Sequence, residues 1–250
     1  MKTTLLISAG IIIGIALIAL GNRGGGETRP PASHEIGDLA PTPEQQSALD
    51  ELERNAVVLG EADAPVTLIE FGDYQCTFCT KFFNETKSAL EEKYIAAGKL
   101  KMIFVDFAIN GRESVNAAEA SWCAHEQGRY WEYHNKLYQE RKGYNVGVFR
   151  DDNLIGYAGE LGLDTASFSS CYEARTYRDK VAESTREAPL FGARGTPTFL
   201  LNGQLIPGAQ PLSFFENAIE QTLSNLDNSN SASGIEVPAG DNKLTVPNEG

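Results

Sequence analysis

The order of secondary structure between residues 65 and 107 constrains the fold of this chain more than any other feature. Residues 65–71 (PVTLIEF) form a dense run of strand-forming types, residues 77–97 have a helical pattern, and residues 100–107 (LKMIFVDF) are again strand-like. A helix of this length between two strands is typical of a βαβ unit, in which a right-handed crossover joins parallel strands. We therefore expect an α/β fold.

Two cysteines three positions apart, Cys76 and Cys79 in YQCTFCTK, lie where the first strand meets the helix. Such a pair can supply half of a zinc site, close a small structural disulfide, or exchange between dithiol and disulfide. Structural zinc is usually held by two close ligand pairs. Here Cys123 and Cys171 stand alone, and the three histidines show no ligand-pair spacing. We therefore expect no metal site.

The position of the pair favours redox exchange over a purely structural bridge. A disulfide that encloses only two residues constrains the unfolded chain little. A thiol at a helix N-terminus, in contrast, lies near unsatisfied N–H groups and the positive end of the helix dipole, which favour the thiolate. The pattern predicts Cys76 as the nucleophile and Cys79, one turn into the helix, as the thiol that attacks a mixed disulfide formed on Cys76. This chemistry requires no dissociable organic cofactor.

The N-terminus indicates where the protein acts. No charged residue lies between Lys2 and Arg23, and residues 5–20 (LLISAGIIIGIALIAL) are almost continuously apolar. As a helix, that run roughly matches a hydrocarbon core of about 30 Å. We expect residues 1–23 to be a membrane anchor, and the alternative is a signal peptide that is cleaved before secretion. Either outcome puts the body of the protein outside the cytoplasm, where disulfides persist.

Composition sets two further limits. Asp and Glu number 34 against 21 Lys and Arg, for a formal net charge of −13. This balance argues against a nucleic-acid-binding protein, which would need a basic surface. Four cysteines in 250 residues are too few to build the fold from disulfides, so apolar packing must hold the core.

The rest of the chain divides by composition into a linker, a body and a tail. Residues 24–54 are a Gly- and Pro-rich linker that contains a short helix, residues 55–226 are the folded body, and residues 227–250 are expected to be disordered. Within the body, residues 110–190 have helical patterns. A hairpin signal at Asn202-Gly203 and a last amphipathic helix follow. The order is therefore βαβ, a helical insertion, ββ and α.

Three stretches of the body together resemble the DsbA-like branch of the thioredoxin superfamily, and in particular its membrane-tethered or secreted thiol-disulfide oxidoreductases. They are LGEADAPVTLIEFGDYQCTFCTKF, EQGRYWEYHNKLY and ARGTPTFLLNGQLIPGAQP, and they occur in the family's order between residues 57 and 222. The resemblance implies a thioredoxin fold with an inserted helical domain. It also implies an enzyme, a protein thiol-disulfide oxidoreductase.

The same resemblance implies roles for three residues outside the cysteine pair. Thr196 and Pro197 match the family's cis-proline element, which packs beside the cysteines and presents backbone to a substrate peptide. Glu70 matches the carboxylate that thioredoxin-like proteins place beneath the active-site helix. Alternation along the strand puts Glu70 on a core-facing side, so we expect a buried carboxyl that takes a proton from Cys79. The alternative is a surface glutamate at the end of the strand.

The resemblance also suggests a direction for the reaction. We expect an oxidase that accepts electrons from cysteine-containing protein substrates and is reset by a membrane redox partner. One departure bears on this expectation, because many family members have proline directly after the first cysteine, where this chain has Thr77. The alternatives are a disulfide reductase or isomerase, and a noncatalytic peptide-binding or chaperone module with structural disulfides.

Cys123 and Cys171 are predicted to form a second, structural disulfide. Both lie in helical segments of the insertion, and a bridge between them would enclose residues 124–170. The chain-entropy model gives about 4 kcal/mol of stabilisation for a loop of that length.

Overall fold

The computed structural model describes residues 43–232. The anchor or signal predicted for residues 1–23 lies outside this range, as does most of the predicted linker and tail. Among the helices of residues 43–232, none combines the length and the apolar content that are needed to span a bilayer.

Strands and helices follow the predicted order. The strands in the described part of the chain are β1 (Val58–Leu59), β2 (Val66–Gly72), β3 (Leu100–Asp106), β4 (Thr198–Leu201) and β5 (Gln204–Pro207). The helices are α1 (Pro43–Arg54), α2 (Thr77–Phe82), α3 (Ser88–Leu90), α4 (Arg112–His125), α5 (Tyr130–Glu140), α6 (Asp151–Glu160), α7 (Thr165–Glu173), α8 (Arg178–Glu187) and α9 (Leu212–Ala232). Two π-helical segments, Phe83–Lys87 and Glu91–Ile95, extend α2 and α3 into one helical stretch, and a 3₁₀ turn covers Ala188–Phe191.

The strands form one mixed sheet in the order β1-β3-β2-β4-β5. The central strands β2 and β3 are parallel, as the βαβ pattern predicted, whereas β4 runs antiparallel to β2 and β5 antiparallel to β4. The helices α4 to α8 lie between β3 and β4 in the sequence, so the expected α/β fold with a helical insertion is confirmed. The short edge strand β1 was not predicted, because two residues carry no periodicity.

Apolar packing on both faces of the sheet fixes the position of the helix that carries the cysteines. On one face, the α2–α3 stretch and α9 pack against the central strands through Phe82, Phe199 and Phe215, whose ring centroids lie 4.5–5.3 Å apart. On the other face, α1 and the 3₁₀ turn cover Ile69 and Phe71. The insertion packs over the start of α2 and forms a third cluster that includes the cysteine pair.

Two chain segments show why their boundaries lie where they do. The hairpin between β4 and β5 turns on Asn202 and Gly203, which both adopt positive φ, of 45° and 84°, as a tight two-residue hairpin turn requires. The last helix, α9, continues through Ala232 and thus beyond Leu226. No glycine or proline follows Leu226 before Gly234, so the sequence offers no helix-stopping residue at the predicted end.

Candidate active site

Cys76 is the N-cap residue of α2, so its thiol faces the first N–H groups of that helix. Its Sγ accepts a hydrogen bond from the backbone N–H of Cys79 at 3.4 Å, and in the thiol form its S–H donates to the carbonyl of Thr196 at 3.1 Å. Hydrogen bonding from the Cys79 side chain, then from the Thr196 side chain and the backbone N–H groups of Cys79 and Phe78, lowers the pKa of Cys76 from 9 to about 6, although burial opposes the shift. Most of this thiol is therefore ionised at neutral pH.

Cys79 has the opposite electrostatic environment. Its side chain is fully buried, and burial, above all, raises the pKa of its thiol well above the usual range. The hydrogen bond to Cys76 acts in the same direction, as does the charge of Glu70 when its carboxyl is ionised. The two thiols are thus strongly differentiated, with an acidic outer thiol at the helix N-terminus and a protonated inner thiol one turn later.

Glu70 lies on β2, opposite Phe104 of β3, with only 1% of its surface exposed. Burial raises the pKa of its carboxyl from 4.5 to about 8, the positive charge of Lys87 lowers it, and Cys76 raises it further. Its Oε1 has no hydrogen-bond partner among the described residues. The carboxyl is therefore largely protonated at pH 7, and a surface position for Glu70 is excluded.

Thr196 and Pro197 complete the wall beside the outer thiol. The peptide bond between them is cis, and the Thr196 carbonyl is the group that contacts the sulfur of Cys76. The Pro197 carbonyl accepts a hydrogen bond from the N–H of Gly208 at 3.0 Å, which ties this segment to the end of the β4–β5 hairpin. Residues distant in sequence from the cysteines are thereby held next to them.

A buried polar cluster under the loop before Cys76 holds that loop in place. One carboxylate oxygen of Asp73 accepts from the N–H of Gln75 and the hydroxyl of Ser114, both at 2.7 Å. The other accepts from the N–H groups of Ile109 at 2.8 Å and Asn110 at 2.9 Å. Four hydrogen bonds to a single carboxylate join the end of β2 to the start of the insertion, so the loop is well ordered.

Comparison with known proteins identifies the fold and the class of this site. A family model described as thioredoxin matches residues 53–221, more than half of the chain. The chain belongs to the thioredoxin family. It is 28% identical over 151 residues to the probable disulfide bond formation protein D of Bacillus cereus, a match that covers 59% of this chain and 70% of the relative.

Solved structures of thioredoxin-like proteins agree with this assignment. The crystal structure of oxidised BdbD from Bacillus subtilis matches with a TM-score of 0.64 at 25% identity, over 68% of this chain and 94% of that one. A thioredoxin-like oxidoreductase from Silicibacter pomeroyi matches with a TM-score of 0.60 at 29% identity, over 70% of this chain and 97% of that one. The protein is therefore a DsbA-like thiol-disulfide oxidoreductase of the thioredoxin family, as its sequence resemblance predicted. The noncatalytic alternative is set aside.

In this DsbA-like protein the fold brings together five of the residues singled out in the sequence: Cys76, Cys79, Glu70, Thr196 and Pro197. The other two lie elsewhere, since Cys123 of α4 and Cys171 of α7 are joined to each other by a disulfide within the insertion. Among residues 43–232, no group of three or more His, Cys, Asp or Glu side chains is arranged to hold a metal ion.

Lys87 is a site residue that sequence reasoning missed. It is 2% exposed, its ammonium group donates to Asn135 at 3.1 Å and pairs with Glu91, and its charge acts on Glu70. The spacing of Lys87 and Glu91 is typical of an ion pair on an exposed helix face. The π-helical segment Phe83–Lys87 has a wider turn than an α-helix, so the side chains that follow it do not keep the α-helical spacing, and Lys87 is buried. The periodicity of the side chains does not signal a π-helical turn.

Proposed function

We propose that the protein is an extracytoplasmic oxidase of protein dithiols. A substrate thiolate attacks Sγ of Cys76 in the Cys76–Cys79 disulfide, and Cys79 leaves with a proton supplied by the neutral carboxyl of Glu70. A second substrate thiolate then attacks the substrate sulfur of the mixed disulfide and releases Cys76 as a thiolate. Two electrons pass from the substrate dithiol to the enzyme pair, and the substrate gains a disulfide.

The observation that carries this direction is the set of hydrogen bonds around Cys76 in the dithiol form. They lower the pKa of its thiol to about 6. Interactions that favour the thiolate stabilise the reduced enzyme, and a stable reduced form makes the corresponding disulfide a strong oxidant. The Thr77 at the position after the first cysteine does not remove this bias, because the hydrogen bonds that lower the pKa come from the Cys79 side chain, the Thr196 side chain and the backbone N–H groups of the helix N-terminus.

The substrates and the reoxidant follow from the same chemistry. Each turnover leaves the enzyme as a dithiol, so the cycle needs cysteine-containing protein substrates and a redox partner that withdraws two electrons. Phe78 in α2 and Tyr144, whose hydroxyl contacts Thr77, are large side chains at the start of α2 that are 61% and 49% exposed, and such a surface suits an unfolded substrate segment. We assign the reoxidant to a membrane redox partner, in keeping with a body tethered outside the cytoplasm by residues 1–23.

The reduction potential of the Cys76–Cys79 pair tests the direction. The purified protein is equilibrated with glutathione buffers, alkylated and measured by mass. We expect a potential of about −120 mV, as in a strong oxidant. A potential of about −270 mV would instead establish a reductant. Fractionation tests the location separately, because the full-length protein is expected to stay with membranes in high salt. A mature N-terminus at Asn22 would show that the segment is a cleaved signal.

Replacing Glu70 with glutamine is expected to slow the steps that involve Cys79 and to stabilise the fold. An amide cannot exchange the proton, so formation of the mixed disulfide, in which Cys79 leaves, and the reverse attack by Cys79 should slow by about tenfold or more, whereas alkylation of Cys76 should change little. Because the folded pKa of about 8 lies above the unfolded value near 4.5, the wild-type protein loses stability as pH rises through this range. The gain from Glu70→Gln should therefore be small at pH 5 and largest near pH 8.

Denaturant unfolding at pH 5 and pH 8, with stopped-flow measurement of exchange, checks both effects. Glu85→Gln is a matched control, since it removes an exposed carboxylate from the same helical stretch, and that carboxylate pairs with the exposed Lys81. Equal turnover and stability of Glu70→Gln and wild type between pH 6 and 8 would mean that Glu70 takes no part.

A further inference from the structure

We propose that Arg141 and Tyr144, in the loop between α5 and α6, are positioning residues that tune the redox equilibrium of the Cys76–Cys79 pair. The inference rests on the proposed role of Cys76 as the attacking thiol. By this inference the helical insertion affects the redox equilibrium of the cysteine pair, in addition to forming part of the surface around it.

The guanidinium of Arg141 bridges the two residues that flank Cys76. Its Nε donates to the carbonyl of Gln75 at 2.9 Å, and its Nη2 donates to Oγ1 of Thr77 at 2.8 Å. A permanent positive charge is thereby held across the backbone turn that carries the outer thiol. Both hydrogen bonds use the fixed fork of the guanidinium, which defines its position more closely than a single contact would.

Tyr144 contacts Thr77 as well, and together Arg141 and Tyr144 form a clamp on that residue. Its hydroxyl oxygen accepts from the N–H of Thr77 at 3.3 Å and lies 3.2 Å from Oγ1 of the same residue. The N–H groups of the first helical turn have no acceptor within their own helix, so Tyr144 satisfies one of them. The guanidinium carbon of Arg141 lies 5.2 Å from the centroid of the Tyr144 ring, within the range of a cation–π interaction.

The loop that carries the clamp is itself anchored, so the charge is held rather than free to move. The N–H of Asn145 donates to the side-chain carbonyl of Gln75, and its Nδ2 donates to the carbonyl of Asn110 at 3.0 Å. The N–H of Gly147 donates to the carboxylate of Glu113 at 2.7 Å. These contacts join the loop to the start of α4 and to the segment that precedes Cys76.

The clamp depends on the identity of Thr77. A proline at this position could offer neither an N–H nor a hydroxyl to a neighbouring loop. Here the N–H of Thr77 donates to Tyr144, and its hydroxyl contacts both Arg141 and Tyr144. A fixed positive charge beside a thiolate stabilises it and therefore stabilises the reduced enzyme.

Arg141→Gln, measured in the otherwise wild-type protein, tests the inference. Removal of the charge is expected to raise the pKa of Cys76 from about 6 by about one unit. The equilibrium constant for oxidation of glutathione to its disulfide by the enzyme should then fall about fivefold at pH 7. At pH 5, where both proteins carry a protonated Cys76, the two constants should converge. Thiolate absorbance against pH and glutathione equilibria at pH 5 and pH 7 are the measurements.

Two further variants separate the charge from the fold. Arg141→Lys keeps the charge and should recover most of the wild-type constant, and Lys142→Gln makes the same change in net charge at the next, exposed position and should have no effect. An unchanged pKa and constant in Arg141→Gln would overturn the inference, as would an equal offset at pH 5 and pH 7. Failure of the proposed function is distinguishable, since the wild-type pair would then have the potential of a reductant, whereas failure of this inference concerns only the difference between Arg141→Gln and wild type.

Discussion

Alanine at Cys76 is expected to abolish disulfide exchange, with a loss of at least about a thousandfold in the rate of oxidation of a model dithiol peptide. The reason is that the variant cannot form the Cys76–Cys79 disulfide, which is the acceptor of the two electrons. In addition, the remaining thiol, Cys79, is fully buried and its pKa is raised well above the usual range. It is therefore neither ionised nor accessible to a substrate. Stopped-flow measurement of peptide oxidation by the oxidised wild type and by the variant gives the ratio directly.

Cys79→Ala is the matched variant, and it should behave differently. Its Cys76 remains nucleophilic and can attack a disulfide of an oxidised substrate protein, but no internal thiol can resolve the mixed disulfide, so covalent adducts with substrate proteins should accumulate. In the reduced wild type, the rate of Cys76 alkylation should rise with pH with a midpoint near 6. Equal trapping by the two variants, or alkylation of Cys79 before Cys76, would contradict the proposed roles.

Removal of the bridge between Cys123 and Cys171 should produce the largest change in stability. These residues join α4 and α7 with a sequence separation of 48. The chain-entropy model assigns about 4 kcal/mol to a loop of this size. The double alanine variant should therefore unfold with a free energy lower by about that amount, and its Tm should fall by roughly 8–16 °C.

The experiment is cleanest in a Cys76→Ala/Cys79→Ala background, because only one bridge can then form. Calorimetry with and without the second pair of alanines measures the change in Tm. The Cys123→Ala/Cys171→Ala variant keeps Cys76 and Cys79, so it should still exchange disulfides with a peptide at temperatures where it stays folded. An unchanged Tm would remove the stabilising role, and so would peptide mapping that joined Cys123 or Cys171 to the active-site pair.

Patterns within short windows of sequence were enough to predict the central architecture. Strand-like runs on either side of a helical pattern predicted the parallel pair β2 and β3, and the Asn202-Gly203 signal predicted the hairpin between β4 and β5. Such features depend on local periodicity and turn chemistry, which neighbouring residues specify among themselves. The position of Cys76 at the start of α2 followed from the same local patterns.

The environment of Glu70 shows where local patterns reach their limit. Alternation along β2 predicted the core-facing side of this residue, and its raised pKa followed from burial in general terms. That Lys87 opposes the shift was not predictable, because it depends on a π-helical turn that directs a lysine inward. The value of about 8 is therefore a result of the packing of α2 and α3 against the sheet.

By itself, then, the sequence determined that a thiol pair stands at the start of a helix in an α/β protein with a helical insertion. Only the tertiary structure decided what surrounds that pair. The contacts of Arg141 and Tyr144 with Thr77 cross 64 and 67 residues of chain, and the contact of Thr196 with Cys76 crosses 120. These pairings depend on how the insertion and β4 pack onto the sheet, and no periodicity in either partner specifies the other.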